Sequence, residues 1–268
     1  MMTGMSEREK GMARLLSRPS RARRFDAVIE RISPGALTIL DLGCGIGALT
    51  TSLVERFPSA LIVGVDRSKY LLSKLQRKGT ALTVLADISA LPLKDGFFDV
   101  AVAVQVLHEI LSSKGAYVLV KTLQNIRSLL CKGGEFVIFD HISPGDAPVL
   151  LRLSKEMLER LCEFQLKFKY RKITFEKHDK GLVRISMRDF YDFLTKIWAL
   201  SSELEEEEMN ETHTPFTHQE LKVFLQKAGF RVEQTSSITP VHPRKGIKLQ
   251  SKVQLPDRQI IVLAKAED

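Results

Sequence analysis

The sequence predicts one α/β domain built around a mostly parallel β-sheet. Two observations support this fold class: short apolar runs alternate with helix-length segments between residues 37 and 142, and these runs are apolar on both faces. At 268 residues, the chain is long enough for one such domain, 1–268, with an insertion. No apolar run approaches the roughly 20 residues that cross a bilayer, so we expect a protein without a membrane span.

Residues 1–34 precede the first predicted strand and carry apolar side chains at near-helical spacing. We predict one or two amphipathic helices there, broken at Pro19 and ended by Pro34. This arginine-rich segment lacks the apolar core of a secretory signal. The cysteines are too widely spaced for a disulfide framework or a CxxC metal pair, so we expect a cytoplasmic protein.

The central feature of the sequence is the stretch 37–49, LTILDLGCGIGAL. Its first half is an apolar run suited to a buried strand, and glycines at positions 43, 45 and 47 follow it. A helix is predicted from Ala48 onward. A strand, a glycine turn and a helix N-terminus together form a site where backbone amides approach a nucleotide-sized ligand.

The alternation of strand and helix then repeats along the chain. Apolar runs at 60–65 and 81–86 are predicted to be strands that end at Asp66 and Asp87. Such alternation implies right-handed crossovers and a parallel sheet. Further strands are predicted at residues 97–104 and 135–139. Helices are predicted at residues 48–57, 68–77 and 115–130.

The alternation stops between residues 143 and 216, a segment too long to be an unstructured loop. We predict that 143–216 is an insertion that caps the ligand site, with helices at 150–163 and 183–198. Residues 164–170 alternate apolar and polar side chains, which predicts a half-buried strand. We interpret the acidic run 203–208 as a solvated helix face.

After this insertion, Thr217 and Glu220 form a capping box that opens a helix. Two last strands are predicted at 230–235 and 258–264. The proline-containing segment between them, 238–257, is expected to be a long exposed connection.

The glycine turn fits two classes of cofactor. Gly43-x-Gly45-x-x-Ala48 satisfies a dinucleotide-binding pattern, and Asp66 lies where that pattern requires an acid for the ribose hydroxyls, so NAD is a competitor. Asp41, however, stands just before the turn, where a carboxylate repels a pyrophosphate and attracts an ammonium group. Carboxylates at three successive strand ends favour a ligand with an amine, a ribose diol and an adenine amino group but no phosphate.

Together these motifs resemble those of class I S-adenosylmethionine-dependent methyltransferases, in the small-molecule-like type 11 group. The resemblance implies a Rossmann-like sheet of seven strands, mostly parallel, with the last strand inserted antiparallel. ILDLGCGIG resembles the family's first motif, residues 65–68 resemble its ribose-binding strand end, and residues 86–88 resemble its adenine-binding loop. Residues 97–108 and 130–139 resemble its fourth and fifth motifs. Residues 221–234 resemble the helix and strand that precede its closing hairpin.

The resemblance also implies roles for individual residues. Asp41 and the glycines would hold the methionine portion of S-adenosylmethionine, Asp66 the ribose hydroxyls, and Asp87 with the backbone of Ile88 the adenine. Gln105, just after the fourth strand, would face the methionine portion. The complete set of cofactor contacts that we predict is Asp41, Gly43, Cys44, Gly45, Asp66, Arg67, Asp87, Ile88 and Gln105.

Three histidines are candidates for catalysis. His108 and His141 follow the fourth and fifth strands and should lie at the carboxyl edge of the sheet, and His213 is placed to reach the site from the insertion. Each is a candidate general base, with loop orientation or a backbone hydrogen bond as the alternative role. No pair of these histidines has the spacing of zinc ligands, so no metal site is predicted.

The predicted activity is methyl transfer to a small-molecule acceptor, apolar or anionic, through an oxygen, carbon or nitrogen nucleophile. The net charge of +8 suits an anionic partner, but the basic residues are spread along the chain and no separate nucleic-acid-binding module is visible. RNA methylation is therefore the alternative. An NAD-dependent oxidoreductase is a more remote one, and a protein that binds the cofactor without chemistry also fits the pattern. The sequence predicts no particular oligomeric state.

Overall fold

The computed structural model describes residues 7–17, 22–79, 81–250 and 254–267. The predicted helix break at Pro19 lies outside these residues. The helices are α1 (Glu7–Leu16), α2 (Ala22–Ile29), α3 (Ala48–Arg56), α4 (Lys69–Gln76), α5 (Leu107–Leu129), α6 (Lys155–Lys167), α7 (Met187–Lys196), α8 (Glu205–Asn210) and α9 (His218–Lys227). The strands are β1 (Thr38–Leu42), β2 (Leu61–Asp66), β3 (Leu82–Leu85), β4 (Phe98–Val104), β5 (Leu130–His141), β6 (Pro148–Leu153), β7 (Phe175–His178), β8 (Leu182–Ser186), β9 (Phe230–Ile238), β10 (Ile247–Leu249) and β11 (Gln259–Ala266).

Within the described ranges, seven strands form one sheet in the order β3-β2-β1-β4-β5-β11-β9. The strands β1 to β5 run parallel to one another. The last strand, β11, pairs antiparallel with both β5 and β9. The predicted Rossmann-like α/β fold, with a mostly parallel sheet and an inserted antiparallel last strand, is confirmed.

Helices cover both faces of this sheet, which explains why its central strands are mostly apolar. On one face, Leu123 of α5 and Leu225 of α9 lie in the core against the sheet. On the other face, Val28 of α2 and Leu53 of α3 do the same. All four side chains are fully buried. In the part of the chain that the structure describes, no helix is both long and apolar enough to cross a bilayer.

The segment 143–216 folds around a second, antiparallel sheet in the order β10-β6-β8-β7. Leu161 of α6 and Phe190 of α7 are buried in the core against this sheet. The edge strand β10 belongs to the segment 238–257, which the sequence predicted to be an exposed connection, and it pairs with β6. We use the name cap for residues 143–216 together with β10.

The strand predicted at residues 164–170 is wrong, because α6 continues past Phe164. Leu161, Phe164 and Phe168 are buried at helical spacing, whereas Leu166 is 85% exposed. The apparent alternation arose because Leu166 is an apolar residue on the exposed side of a helix. Periodicity over so few residues does not separate the two structures.

Two other predictions for the cap need correction. The helix predicted at 150–163 begins only after Ser154, whose side chain caps it by accepting the N–H of Met157. The residues before Ser154 form β6. In the acidic run 203–208, Glu208 is buried rather than solvated, because its carboxylate pairs with the ammonium of Lys196 at 2.8 Å.

A pair of alanine substitutions tests the helical assignment. Phe164→Ala should lower the free energy of unfolding by about 3–5 kcal/mol, because it empties a fully buried position. Leu166→Ala should change it by less than about 0.5 kcal/mol, because this side chain is exposed. Urea denaturation of the two variants measures the difference. Equal losses would contradict the helix, since both residues would then share one face of a strand.

Candidate active site

A cavity of about 1020 Å³ lies at the carboxyl edge of the seven-stranded sheet. Small-molecule sites in proteins span roughly 300–1,000 Å³, so this cavity has room for a cofactor together with a small acceptor. Met12 and Leu16 of α1 line one side, and Trp198 and His213 of the cap line another. The sheet edge, α1 and the cap therefore enclose a single site.

The glycine turn after β1 contributes Gly43 and Gly45 to the cavity wall. Gly43 has a φ of +71° and Gly45 a φ of +55°, a region that residues with side chains rarely adopt. The N–H of Gly43 donates to the carbonyl of Val65 on β2 at 2.8 Å, which ties the turn to the sheet. A Cβ atom at position 43 would lie only 2.6 Å from Cγ2 of Val106. Glycine is therefore required by both the backbone and the available space.

Asp66, at the end of β2, lines the cavity and is 9% exposed. Its Oδ2 accepts the N–H of Gly45 at 2.8 Å, and its Oδ1 accepts the N–H of Ser68 at 2.8 Å. A carboxylate accepts about four hydrogen bonds in total, so both oxygens keep capacity for a ligand. Asp66 thus holds the glycine turn in place and still offers acceptors for the predicted ribose hydroxyls.

Asp87 and Ile88, just after β3, also line the cavity. Asp87 accepts hydrogen bonds from Lys114 Nζ at 2.6 Å and from the N–H and hydroxyl of Ser89 at 2.8 and 2.7 Å. The hydrogen bond from Lys114, with those from Ser89, lowers the pKa of Asp87 to about 2. Asp87 is therefore ionised and held in a turn at the edge of the site.

Two predicted cofactor contacts, Asp41 and Cys44, are not among the residues that line the cavity. Asp41 is 2% exposed, and its carboxylate accepts a hydrogen bond of 2.6 Å from the hydroxyl of Thr50 in α3. Burial, which the Thr50 hydrogen bond only partly offsets, raises the pKa of Asp41 to about 6. Asp41 is therefore held by α3 next to the turn, and its contact with the cofactor stays a prediction. Arg67, another of the predicted cofactor contacts, lines the cavity.

Gln105 follows β4 and has a φ of +56°, which is unusual for a residue with a side chain. Its N–H donates to the carbonyl of Phe139 on β5 at 2.7 Å. Its side-chain Nε2 lies 3.0 Å from Nε2 of His141, and its Oε1 accepts a hydrogen bond from Arg24 at 3.4 Å. Gln105 therefore connects Arg24 with His141 inside the cavity.

The fold brings the three predicted histidines together beyond the ends of β4 and β5. The ring centroids of His141 and His213 are 4.0 Å apart at an interplanar angle of 11°, and His108 lies edge-on to both. Nδ1 of His108 lies 2.6 Å from the carboxylate of Asp140, which keeps a proton on that nitrogen. Nδ1 of His141 and Nδ1 of His213 are buried without a partner among the described residues. The three histidines thus include two ring nitrogens without a hydrogen-bond partner among the described residues.

The three histidines have different electrostatic surroundings. Burial disfavours the charged form of His108, but the carboxylate of Asp140 outweighs it and raises the pKa of His108 to about 9. Burial, with neighbouring positive charges such as Lys196, lowers the pKa of His141 and His213 well below the usual range. His141 and His213 are therefore neutral near pH 7.

A buried carboxylate in the cap fixes the segment that carries His213. Asp192 of α7 is fully buried, and its Oδ1 accepts the N–H of His213 at 2.6 Å. Its Oδ2 accepts hydrogen bonds from the hydroxyls of Thr212 and Thr214 at 2.7 and 3.0 Å. Arg171 lies 2.6 Å from the same oxygen and balances its charge. The position of His213 is therefore set by the core of the cap.

Sequence reasoning missed a group of arginines at the cavity. Arg24, Arg244 and Arg258 line it, and in the described part of the chain none of them forms an ion pair. Burial, followed by the charges of Arg24 and Arg244, lowers the pKa of Arg258. Gln259, the next residue, is fully buried, and its Nε2 has no hydrogen-bond partner within the described ranges. These residues are far apart in sequence and form no motif, so only the tertiary structure reveals them.

A second missed group lies beside the histidines. Lys196 is fully buried, with its Nζ 2.8 Å from Glu208 and 3.4 Å from Glu211. Oε1 of Glu211 lies 4.0 Å from Nε2 of His108 and 3.7 Å from Nε2 of His213. The acidic run 203–208 could have indicated this group from the sequence. We interpreted the run as a solvated helix face and therefore did not predict that Glu208 is buried.

The residues around the glycine turn fit S-adenosylmethionine, the cofactor that the sequence resemblance implies. Gly43 and Gly45 leave the space that a side chain would fill, and their backbone lines the cavity. Asp66 keeps free acceptor capacity at the same wall. The space at the two glycines and the acceptor oxygens of Asp66 therefore suit an amino-acid portion and a ribose at the ends of β1 and β2.

Comparison with known proteins places this site in a recognised domain. Residues 40–138 match the family model described as a methyltransferase domain. A malonyl-[acyl-carrier protein] O-methyltransferase from Geobacter sulfurreducens is 42% identical over 69 residues, which are 24% of this chain and 26% of that protein. A trans-aconitate 2-methyltransferase from Variovorax paradoxus is 39% identical over 71 residues, 26% of this chain and 27% of that protein. The chain thus spans about a quarter of the length of these relatives.

Solved structures share the fold over nearly the whole chain. The crystal structure of 1,6-didemethyltoxoflavin-N1-methyltransferase from Burkholderia thailandensis, with 1,6-didemethyltoxoflavin and S-adenosylhomocysteine bound, has a TM-score of 0.54 at 18% identity and covers 97% of this chain and 83% of that one. A putative methyltransferase from Bacillus halodurans has a TM-score of 0.58 at 12% identity, and the match covers 92% of this chain and 100% of that one. At these identities the likeness concerns the fold.

Proposed function

We propose that this chain, whose residues 40–138 match a methyltransferase domain and whose fold is shared by solved methyltransferases, transfers a methyl group from S-adenosylmethionine to a small anionic acceptor. The division of the cavity carries this proposal. The glycine turn and Asp66 lie at the ends of β1 and β2, whereas His108 follows β4 and His141 ends β5. Arg258, whose carbonyl accepts the N–H of Ile142, lies beside the end of β5. One cavity therefore has a cofactor end and an acceptor end.

At the cofactor end of the cavity, the protein's residues bind and orient S-adenosylmethionine. Asp66 is in place to accept hydrogen bonds from the ribose hydroxyls, and Asp87 and Ile88 line the wall where the adenine would lie. The turn at Gly43 allows close approach of the methionine portion, which Gln105 faces from β4. When bound, S-adenosylmethionine supplies a methyl group already activated by its sulfonium charge. The protein's main task is then alignment of the acceptor and exclusion of water.

At the acceptor end, the arginines indicate a negatively charged substrate. Arg24 and Arg258 are half-buried, and burial lowers the pKa of each. Neither arginine has a counterion among the described residues. Partly buried positive charges of this kind are costly, so an anionic ligand relieves both the desolvation and the mutual repulsion. Gln259 lines the same cavity, and its Nε2, which has no partner among the described residues, adds a neutral donor. A carboxylate fits these donors because guanidinium groups bind its two oxygens together.

The relatives of the matched segment agree with an acidic acceptor. Both are named for substrates that carry carboxyl groups, malonyl-[acyl-carrier protein] and trans-aconitate. The solved relative bound to S-adenosylhomocysteine is named for a small heterocyclic acceptor. These names support a small-molecule substrate over RNA.

The three histidines are our candidates for contact with the reacting atom of the acceptor. His108, His141 and His213 all line the cavity, and His141 and His213 have unpartnered Nδ1 atoms within the described structure. His108 is fixed by Asp140 and His213 by Asp192. Such rigid placement is what alignment of a nucleophile requires.

Asp66→Ala tests the cofactor end. The variant should bind S-adenosylmethionine more weakly by about 1–3 kcal/mol, because charge-assisted hydrogen bonds to the ribose are lost. Isothermal titration calorimetry measures the affinity, and thermal unfolding checks that the variant is folded. Asp179→Ala, in the turn between β7 and β8 and away from the cavity, is the matched control and should bind like the unmodified protein. Unchanged affinity in Asp66→Ala would refute the assigned role.

Labelled methyl transfer into a fractionated cell extract tests the acceptor end. The extract is ultrafiltered to remove macromolecules and separated by anion exchange before S-adenosylmethionine with a labelled methyl group is added. The retained, anionic fraction should support transfer. When the amount of the retained fraction limits the rate, Arg258→Gln should slow that transfer by about tenfold, because a charged hydrogen bond to the acceptor is lost. Its affinity for S-adenosylmethionine should stay unchanged.

Arg184→Gln, on the exposed face of β8, is the control for this experiment and should transfer normally. Label that is incorporated only with the unretained fraction would contradict an anionic acceptor. The macromolecules held back by ultrafiltration are assayed separately, and label incorporated only there and released by ribonuclease would instead support RNA methylation.

A further inference from the structure

We propose that the helix α1 is a lid over the cofactor end of the cavity, which opens so that S-adenosylmethionine enters and S-adenosylhomocysteine leaves. This inference rests on the proposed function, in which the cofactor binds at the glycine turn. The helix spans Glu7–Leu16. Its contacts at the glycine turn, after the end of β2 and in the cap set its position across the cavity.

The apolar side of α1 lies over the glycine turn. Met12, Leu15 and Leu16 line the cavity. A Cβ atom at Gly45 would lie 2.8 Å from Cδ1 of Leu16, so the last turn of α1 contacts the glycine turn itself. The three side chains are only half-buried, and none of them belongs to a hydrophobic core of the described residues. A ligand bound at the turn would therefore cover apolar surface that the protein leaves open.

The first polar contact of α1 is with the segment that follows β2. Oε1 of Glu9 accepts a hydrogen bond of 3.3 Å from the hydroxyl of Ser68. The N–H of Ser68 donates to Asp66, whose carboxylate is the predicted partner of the ribose hydroxyls. Glu9, Ser68 and Asp66 all line the cavity. The N-terminal half of α1 is therefore attached beside the proposed ribose position.

The second polar contact joins α1 to the cap. Nη2 of Arg14 lies 2.7 Å from Oε1 of Glu203, and the two side chains are 64% and 40% exposed. Gly11 lies against the same glutamate, since a Cβ atom there would be 2.5 Å from its Cγ. Exposed ion pairs contribute little stability, so this contact closes the lid weakly.

The local stability of α1 is low enough for it to open. The helix has ten residues, and isolated helices shorter than about 12–15 residues are marginal in water. Both polar contacts described above are partly or fully exposed, and elements of low local stability are the ones that open first. A cofactor that contacts α1 only when the helix is docked shifts the equilibrium toward the closed state.

A disulfide between α1 and the cap tests the lid. In the double variant Gly11→Cys/Glu203→Cys, the two Cβ atoms would be no more than about 4 Å apart, because one bond of about 1.5 Å separates Cβ from Cγ of Glu203. The full-length variant is saturated with labelled S-adenosylhomocysteine while reduced, then oxidised, and then chased with excess unlabelled compound. The oxidised form should retain the label at least about tenfold longer than the reduced form, because the cross-link holds the lid closed.

The reduced double variant is the matched control and should release the label at least as fast as the unmodified protein. Reductant added to the oxidised complex should restore fast release, and oxidation should not change release from the unmodified protein, which has three cysteines of its own. Equal release from the oxidised and reduced forms would overturn the proposal, because α1 would then be a fixed wall. The affinity of the reduced form tests the cofactor site separately, so failure of the lid is distinguishable from failure of the proposed function.

The ion pair with the cap provides a test without a cross-link. Arg14→Gln should release S-adenosylhomocysteine about two- to fivefold faster, because an exposed ion pair that favours the closed state is lost. Arg184→Gln is the matched control, since it removes another exposed arginine, 3.6 Å from Glu176, that does not line the cavity. Equal release rates in Arg14→Gln and Arg184→Gln would contradict closure through this contact.

Discussion

The buried carboxylate of Asp140 is the interaction on which the acceptor end of the site depends. It stands near the end of β5, where its Oδ2 accepts the N–H groups of Leu107 and His108 at 2.8 and 3.2 Å and so caps the start of α5. Its Oδ1 lies 2.6 Å from Nδ1 of His108 and accepts the N–H of His141 at 2.7 Å. One fully buried side chain therefore joins β5 to α5 and orients two of the three histidines. Removing it would leave several buried donors unsatisfied, each at a cost of about 1–3 kcal/mol.

Asp192 performs the equivalent task from the cap. Its contacts hold the segment with Glu211 and His213, so the two halves of the histidine cluster are each organised by a buried carboxylate on a regular element. The cavity between them is divided by charge: carboxylates surround the histidines, and arginines without ion pairs in the described structure line the neighbouring wall. Such a division suits an acceptor that has an anionic group and a separate nucleophilic atom, since each part meets a different wall.

The sequence predicted the sheet well and the cap poorly, for physical reasons. Strands buried on both faces are apolar runs, and an aspartate at a strand end is visible in the sequence, so β1 and β2 with Asp66 were predictable. The edge strand β3 is partly exposed, but it is also an apolar run that is followed by an aspartate, Asp87. In the cap, Leu166 made a helix resemble a strand. Nothing in the sequence indicated that the carboxylate of Asp41 accepts a hydrogen bond from Thr50 of α3, because the two residues meet only in the folded chain. The proximity of His108, His141 and His213 arises from β4, β5 and the cap, and no spacing rule within one segment detects it.

The central claim is that the glycine turn and Asp66 form a site for S-adenosylmethionine. Calorimetric titration of the unmodified protein with S-adenosylhomocysteine and, separately, with NADH tests it most directly, because the two ligands share an adenosine and differ in the pyrophosphate and the amino-acid portion. We expect S-adenosylhomocysteine to bind and NADH to give no measurable heat of binding. Binding of NADH without binding of S-adenosylhomocysteine would contradict the account.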